Sequence, residues 1–126
     1  MAGERIGRGS TLLIPGTHQD PEKSHLCIVL NDPPDREPRQ VLYVPIITAR
    51  RKYDATCVLD VGDHDFIVRK SCVHYARAEV RPVEHLAKCG SLRSPLADDV
   101  LERVCAGIFD SPHTRPWVRK FYEDNN

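Results

Sequence analysis

Two stretches of the chain combine groups that can move a proton with groups that can hold an anion. His25 opens an apolar run, and an unperturbed imidazole, titrating near pH ~6.5, can act as base or acid close to neutrality. Thr48 ends a later apolar run with a hydroxyl that could hold a phosphate or orient a base. Arg50, Arg51 and Lys52 follow it as a basic loop suited to phosphate, with Arg69, Lys70, Arg77 and Arg81 further along. His18, Asp20 and Glu22 lie in the polar stretch before His25 and could add a second imidazole or a carboxylate. Each has a plainer reading. His25 can simply begin a strand and bond a neighbour, Thr48 can cap a strand end, and the polar and basic runs can be solvated loops.

A second concentration of titratable groups runs through Gly62-Asp63-His64-Asp65 and Ser71-Cys72-Val73-His74-Tyr75. Strand alternation would put Cys72 and His74 on one face, so His64, Cys72 and His74 could be imagined around a metal. Zinc sites normally show tighter paired spacing, such as C-x-x-C or H-x-x-x-H, and that spacing is missing. No metal or other cofactor is expected. Gly62-Asp63 reads instead as a tight turn after which Phe66 and Ile67 re-enter the core. Cys72 could be a nucleophile with a histidine base, although a lone cysteine is more often a small buried hydrophobe.

These residues must be positioned by a small fold. The 126 residues suffice for one domain with one core. Hydrophobic residues make up 40% and charged residues 29%, which is too apolar for a disordered chain. Eighteen basic residues balance eighteen acidic ones, so nucleic-acid binding would have to come from a local patch rather than a global surplus. Five cysteines, odd in number and without a C-x-x-C pair, argue against a disulfide framework. With no signal-like apolar run at the N-terminus and no membrane-length apolar segment, a cytoplasmic protein with reduced thiols and no membrane partner is expected.

Residues 1–9, rich in Gly and Arg, read as a flexible lead. Thr11–Ile14 and Leu26–Leu30 read as strands, ended by Pro15-Gly16 and by Asn31-Asp32-Pro33-Pro34. Three prolines mark Asn31–Arg39 as an exposed connection. Val41–Ile47 is the most β-like segment, with Pro45 implying an edge or a bulge. Thr56–Leu59 and Val73–Val80 supply further short strands around the Asp60–Asp63 turn. Pro82–Lys88 predicts a short helix ended by Gly90. A longer one is predicted from a Ser94 cap, with Pro95 in its first turn and Leu96, Val100, Leu101, Val104 and Ile108 on one face. Residues 111–126 form an aromatic tail, with Trp117, Phe121 and Tyr122 available to dock on the barrel or on a partner chain. The fold class is mainly β with C-terminal α: a small barrel over residues 10–110, closed by one longer helix.

In order, Gly9-Ser10-Thr11-Leu12-Leu13-Ile14, a polar loop, Leu26–Leu30 and Val44-Pro45-Ile46-Ile47-Thr48 resemble the opening half of MazF/PemK-type toxins, the CcdB/Kid-like class. The second half is similar too: an acidic-Gly turn, a Ser-containing strand, Ala78-Glu79-Val80-Arg81-Pro82-Val83, and Gly90-Ser91-Leu92 leading into a final helix. The resemblance spans about residues 9–109. It implies an SH3-like barrel, a homodimer, metal-independent endoribonuclease activity on single-stranded RNA, and a small antitoxin protein as partner. It also implies His25 and Thr48 as catalytic, with His18, Arg50, Arg51 and Lys52 on the RNA. In one respect the chain departs from the pattern: His25 stands where those toxins commonly carry an arginine, and an imidazole cannot clamp phosphate bidentately. The alternative is a non-catalytic barrel that binds protein or nucleic acid as an accessory module.

Overall fold

A computed structural model describes residues 6–15 and 24–126. Among the described residues, runs of β-branched and aromatic residues between Gly/Pro-rich breaks fold into seven strands: β1 (Thr11–Pro15), β2 (Ser24–Val29), β3 (Gln40–Thr48), β4 (Val58–Leu59), β5 (Ser71–Val73), β6 (Glu79–Pro82) and β7 (Ser91–Arg93). They form one antiparallel sheet in the order β4-β5-β3-β2-β1-β7, with β6 also beside β3. β4 and β7 end this path, and among the described residues no pairing joins them. The sheet is therefore open where the sequence suggested a closed barrel, because strands of two and three residues leave too little ladder to bring the ends together.

β3, the longest strand, lies inside the sheet. One side pairs with β2, while the other takes β6 over Gln40–Tyr43 and β5 over Ile46–Thr48. Pro45 falls in the gap between those two partners, where its missing N–H is not needed, and its carbonyl accepts the His74 N–H at 2.9 Å. The edge or bulge expected from Pro45 is thus a change of partner. Between β5 and β6, Tyr75–Arg77 form one turn of 3-10 helix.

The two faces bury separate clusters. Leu26, Ile28, Leu42, Val44 and Ile46 pack with Leu59 and Val73 under the last two helices, α2 (Asp98–Asp110) and α3 (Pro116–Asp124). Leu12, Cys27, Val29, Val41 and Tyr43 pack on the other face under Val83 and Leu86 of α1 (Val83–Cys89). The alternation of strand side chains produces this division directly.

Helix α2 buries Val100, Leu101, Val104 and Ile108 of the predicted stripe but starts at Asp98 behind Ala97, so Leu96, the fifth member, is buried ahead of the helix rather than on it. Ser94 does not cap it; its carbonyl accepts bonds from the Thr11 and His64 side chains instead. At Gly107 the helix meets the buried Tyr75, and a Cβ there would overlap the phenol oxygen, which donates to the Val104 carbonyl at 2.6 Å. In α3, Val118 is fully buried, Phe121 and Tyr122 are partly covered, and Trp117 stays 48% exposed beside the Arg115 guanidinium. Residues just before β1 are tied down: Gly9 N–H donates to Val29 O at 2.8 Å, and Arg8 donates to the Tyr122 hydroxyl at 2.9 Å. Among the described residues no helix is long and apolar enough to cross a membrane.

Candidate functional site

The ends of β2, β3 and β5 and the two loops carrying basic runs enclose a groove of about 540 Å³. Its floor is apolar, from Leu13, Leu26, Ile46 and Ile67. Thr48 and Ser71 stand side by side on β3 and β5 at its wall. The Ser71 hydroxyl donates to the Arg69 carbonyl at 2.9 Å. One backbone bond, Ala49 N–H to Lys70 O at 3.0 Å, holds the loop after β3 against the segment before β5. That bond extends the β3–β5 pairing, and together they bring basic residues nearly twenty positions apart in sequence into one place: Arg50, Lys52 and Arg69 all line the groove. Tyr53 and Phe66 bring two aromatic rings to it, each with a cation nearby, Lys70 at 5.6 Å from the Tyr53 centroid and Arg93 at 5.0 Å from that of Phe66. No carboxylate occurs among its described lining residues.

Of the residues singled out in the sequence, His25, Thr48, Arg50 and Lys52 border this groove. Arg51 is exposed and does not line it. His18, Asp20 and Glu22 lie outside the described residues. The register divides His25 from Thr48. Thr48 shares the α2 face of the sheet with Ile46 and Ser71, whereas His25 pairs with Ile14, which packs on the α1-side cluster. His25 thus lines the groove from the α1 side of the sheet, near enough for its charge to act on His74. Burial first, then the Arg77 cation, hold His74 below the usual histidine range; His113 and His25 add to this and Asp54 opposes it.

Tyr53, Phe66, Arg69 and Ser71 complete the site. Arg69 stood out as a basic residue, but Phe66 was expected in the core and is 44% exposed; only its neighbour Ile67 is buried. A usable signal was present: each basic run has an aromatic residue beside it, Tyr53 after Arg50-Arg51-Lys52 and Phe66 shortly before Arg69-Lys70.

His64 is a structural histidine. Its Nε2 lies 2.7 Å from Ser94 O and 3.1 Å from Thr11 Oγ1, and its Nδ1 accepts the Phe66 N–H at 3.1 Å. Among the described residues no three His, Cys, Asp or Glu side chains are grouped to hold a metal. Cys72 is fully buried and its thiol is pushed up by desolvation, which opposes a thiolate nucleophile. A larger depression of about 800 Å³ lies near α1, but it mixes Arg8 and Arg39 with Asp32, Asp35 and Glu84, so no sign of charge prevails there. The chain matches no known protein-family model and no curated protein, so the assignment of the site rests on its own geometry and chemistry.

Proposed function

We propose that this groove binds single-stranded RNA and that the chain is a MazF/PemK-like endoribonuclease acting without a metal. The observation that carries this reading is the lining itself: Arg50, Lys52 and Arg69 interleaved with Tyr53 and Phe66 over an apolar floor, with no carboxylate among the described lining residues. Phosphates seek the cations and unpaired bases seek the rings, the combination single strands require. In cleavage, a base removes the 2′-hydroxyl proton, the oxygen attacks the adjacent phosphorus, and the departing 5′-oxygen takes a proton from an acid. His25, at the groove's β2 end, is the proton carrier; Thr48 holds a phosphate oxygen, and the cations stabilise the charge that builds on the phosphorane. The open antiparallel sheet belongs, in this reading, to an SH3-like fold that works in the cytoplasm as a homodimer and is silenced by a small antitoxin protein.

A second reading is favoured by one observation, the placement of His25 and Thr48 on opposite faces of the sheet. In it the groove holds RNA without cutting it, and the protein serves as an accessory binding module. Incubating wild-type protein, His25→Ala and Thr48→Ala with mixed-sequence RNA in chelator separates the two. Cleavage by the wild type that falls at least about a hundredfold in both variants supports the nuclease. Retention of RNA by an uncut complex supports the accessory module, and equal residual cleavage by all three proteins refutes the site.

A further inference from the structure

We propose that the Phe66 ring is a base-stacking platform of the groove, held outward by the buried His64 and Thr11 side chains bonded to the Ser94 carbonyl; this rests on the RNA reading above. The turn after β4 does more than reverse the chain. His64 is 7% exposed and its ring is bonded at both nitrogens: Nε2 to the Ser94 carbonyl at 2.7 Å, Nδ1 to the Phe66 N–H at 3.1 Å. Because Nδ1 accepts, the ring proton sits on Nε2, and His64 is a neutral strut between β1, the segment after β7 and this turn. Thr11 Oγ1 donates to the same Ser94 carbonyl at 2.6 Å. The Ile67 N–H donates to His64 O at 3.0 Å and its side chain is buried, which anchors the far side of Phe66.

Fixed on both flanks, Phe66 presents its ring to the groove. His64 stacks beneath it, with centroids 6.1 Å apart and planes 28° from parallel, and the Arg93 guanidinium lies 5.0 Å from its centroid. Phe66 nevertheless stays 44% exposed, and the nearby Val68 is 69% exposed in the same groove. A polar network anchored by the buried His64 and Thr11 that immobilises a half-exposed aromatic side chain beside the Arg93 cation is pre-organised for a flat, apolar partner carrying negative charge beside it. An unpaired nucleobase on its phosphodiester has that chemistry. His64 acts here as a positioning residue, through the Phe66 backbone.

The test compares two fluorescent probes of about eight nucleotides, a cleavage-resistant 2′-fluoro RNA and an abasic strand with the same backbone, by anisotropy. Wild-type protein is expected to prefer the RNA by about tenfold or more. Phe66→Leu is expected to lose that preference while binding the abasic strand as the wild type does. In a Trp117→Phe background, Phe66→Trp should keep the preference and show fluorescence quenched by the RNA and not by the abasic strand. Adding His64→Ala to that protein should remove the quench well below its unfolding temperature, with abasic binding retained. If the wild type prefers RNA and Phe66→Leu prefers it equally, the platform is overturned while the RNA reading stands. If the wild type binds neither strand, both readings fall.

Discussion

His74 couples the sheet to pH. It faces Arg77, Asp54, His113 and His25, and burial, followed by the Arg77 charge, holds its pKa below the ordinary 6.5. The folded chain thus resists a proton that the unfolded chain accepts. The sign follows from linkage: the stabilisation is complete above about pH 6.5 and is lost as pH falls through the folded value. Thermal midpoints are expected to drop between pH 7 and pH 5, and His74→Gln should flatten that slope; an unchanged slope would place the acid sensitivity in another group. Asp54 acts lower on the scale. Desolvation raises its pKa, but bonds from the Ser111 hydroxyl and from Thr56 outweigh this and hold it below the usual carboxylate range. Ser111→Ala should therefore weaken the fold more at neutral pH than at about pH 3, because the stabilisation begins to be lost near the unfolded carboxyl's value of about 3.9 and is gone only once pH has fallen through the lower folded value. Urea denaturation at the two pH values checks it. His25, Thr48, Arg50 and Lys52, which line the groove, stood out in the sequence because their chemistry travels with residue type, whereas Arg51 stood out equally and does not line it. Phe66 did not stand out, since Phe66-Ile67-Val68 reads as a core run until the turn's rotation is known, and that rotation is set by His64 bonding to Thr11 and Ser94, residues distant in sequence.

Among the elements, the sheet and helices were legible where one periodicity acted alone. The stripe from Val100 to Ile108 lies on one face of α2 as expected, because burial of that face decides the helix more than its cap does. Ser94 and Pro45 were misread because each has two uses, and long-range partners chose the less local one. Gly107 shows the same dependence. It reads as a weak point in a helix, yet it is the space into which Tyr75 reaches to bond Val104. Gly107→Ala is expected to destabilise by about 1–3 kcal/mol despite alanine's better helix propensity, because the added methyl displaces a buried ring. Tyr75→Phe, which removes the hydroxyl, should cost about 1 kcal/mol. Since the hydroxyl is the atom the new Cβ meets first, the double variant should be less destabilised than the sum of the two. Urea denaturation of the four proteins closes that cycle; strict additivity would mean that α2 shifts rather than Tyr75.

Over the whole molecule, zero net charge and a cationic groove are compatible because folding sorts the charge. Eighteen cations and eighteen anions leave no net charge to draw in a polyanion, so in the RNA reading affinity comes from contacts made inside the groove. That gives the salt dependence a definite size. Each phosphate neutralised on a single strand contributes about −0.7 to the slope of log K against log salt, so Arg50, Lys52 and Arg69 together predict a slope near −2. Arg69→Ala should flatten it by about 0.7, with the same loss for every RNA sequence. Arg51→Ala should leave it unchanged, although the residue lies between two groove cations in sequence, because Arg51 does not line the groove. Anisotropy titrations from about 50 to 200 mM salt measure all three slopes. Equal flattening by Arg51→Ala and Arg69→Ala would mean that RNA reads the loop's total charge and not the groove, and that would withdraw the structural basis for placing the RNA there.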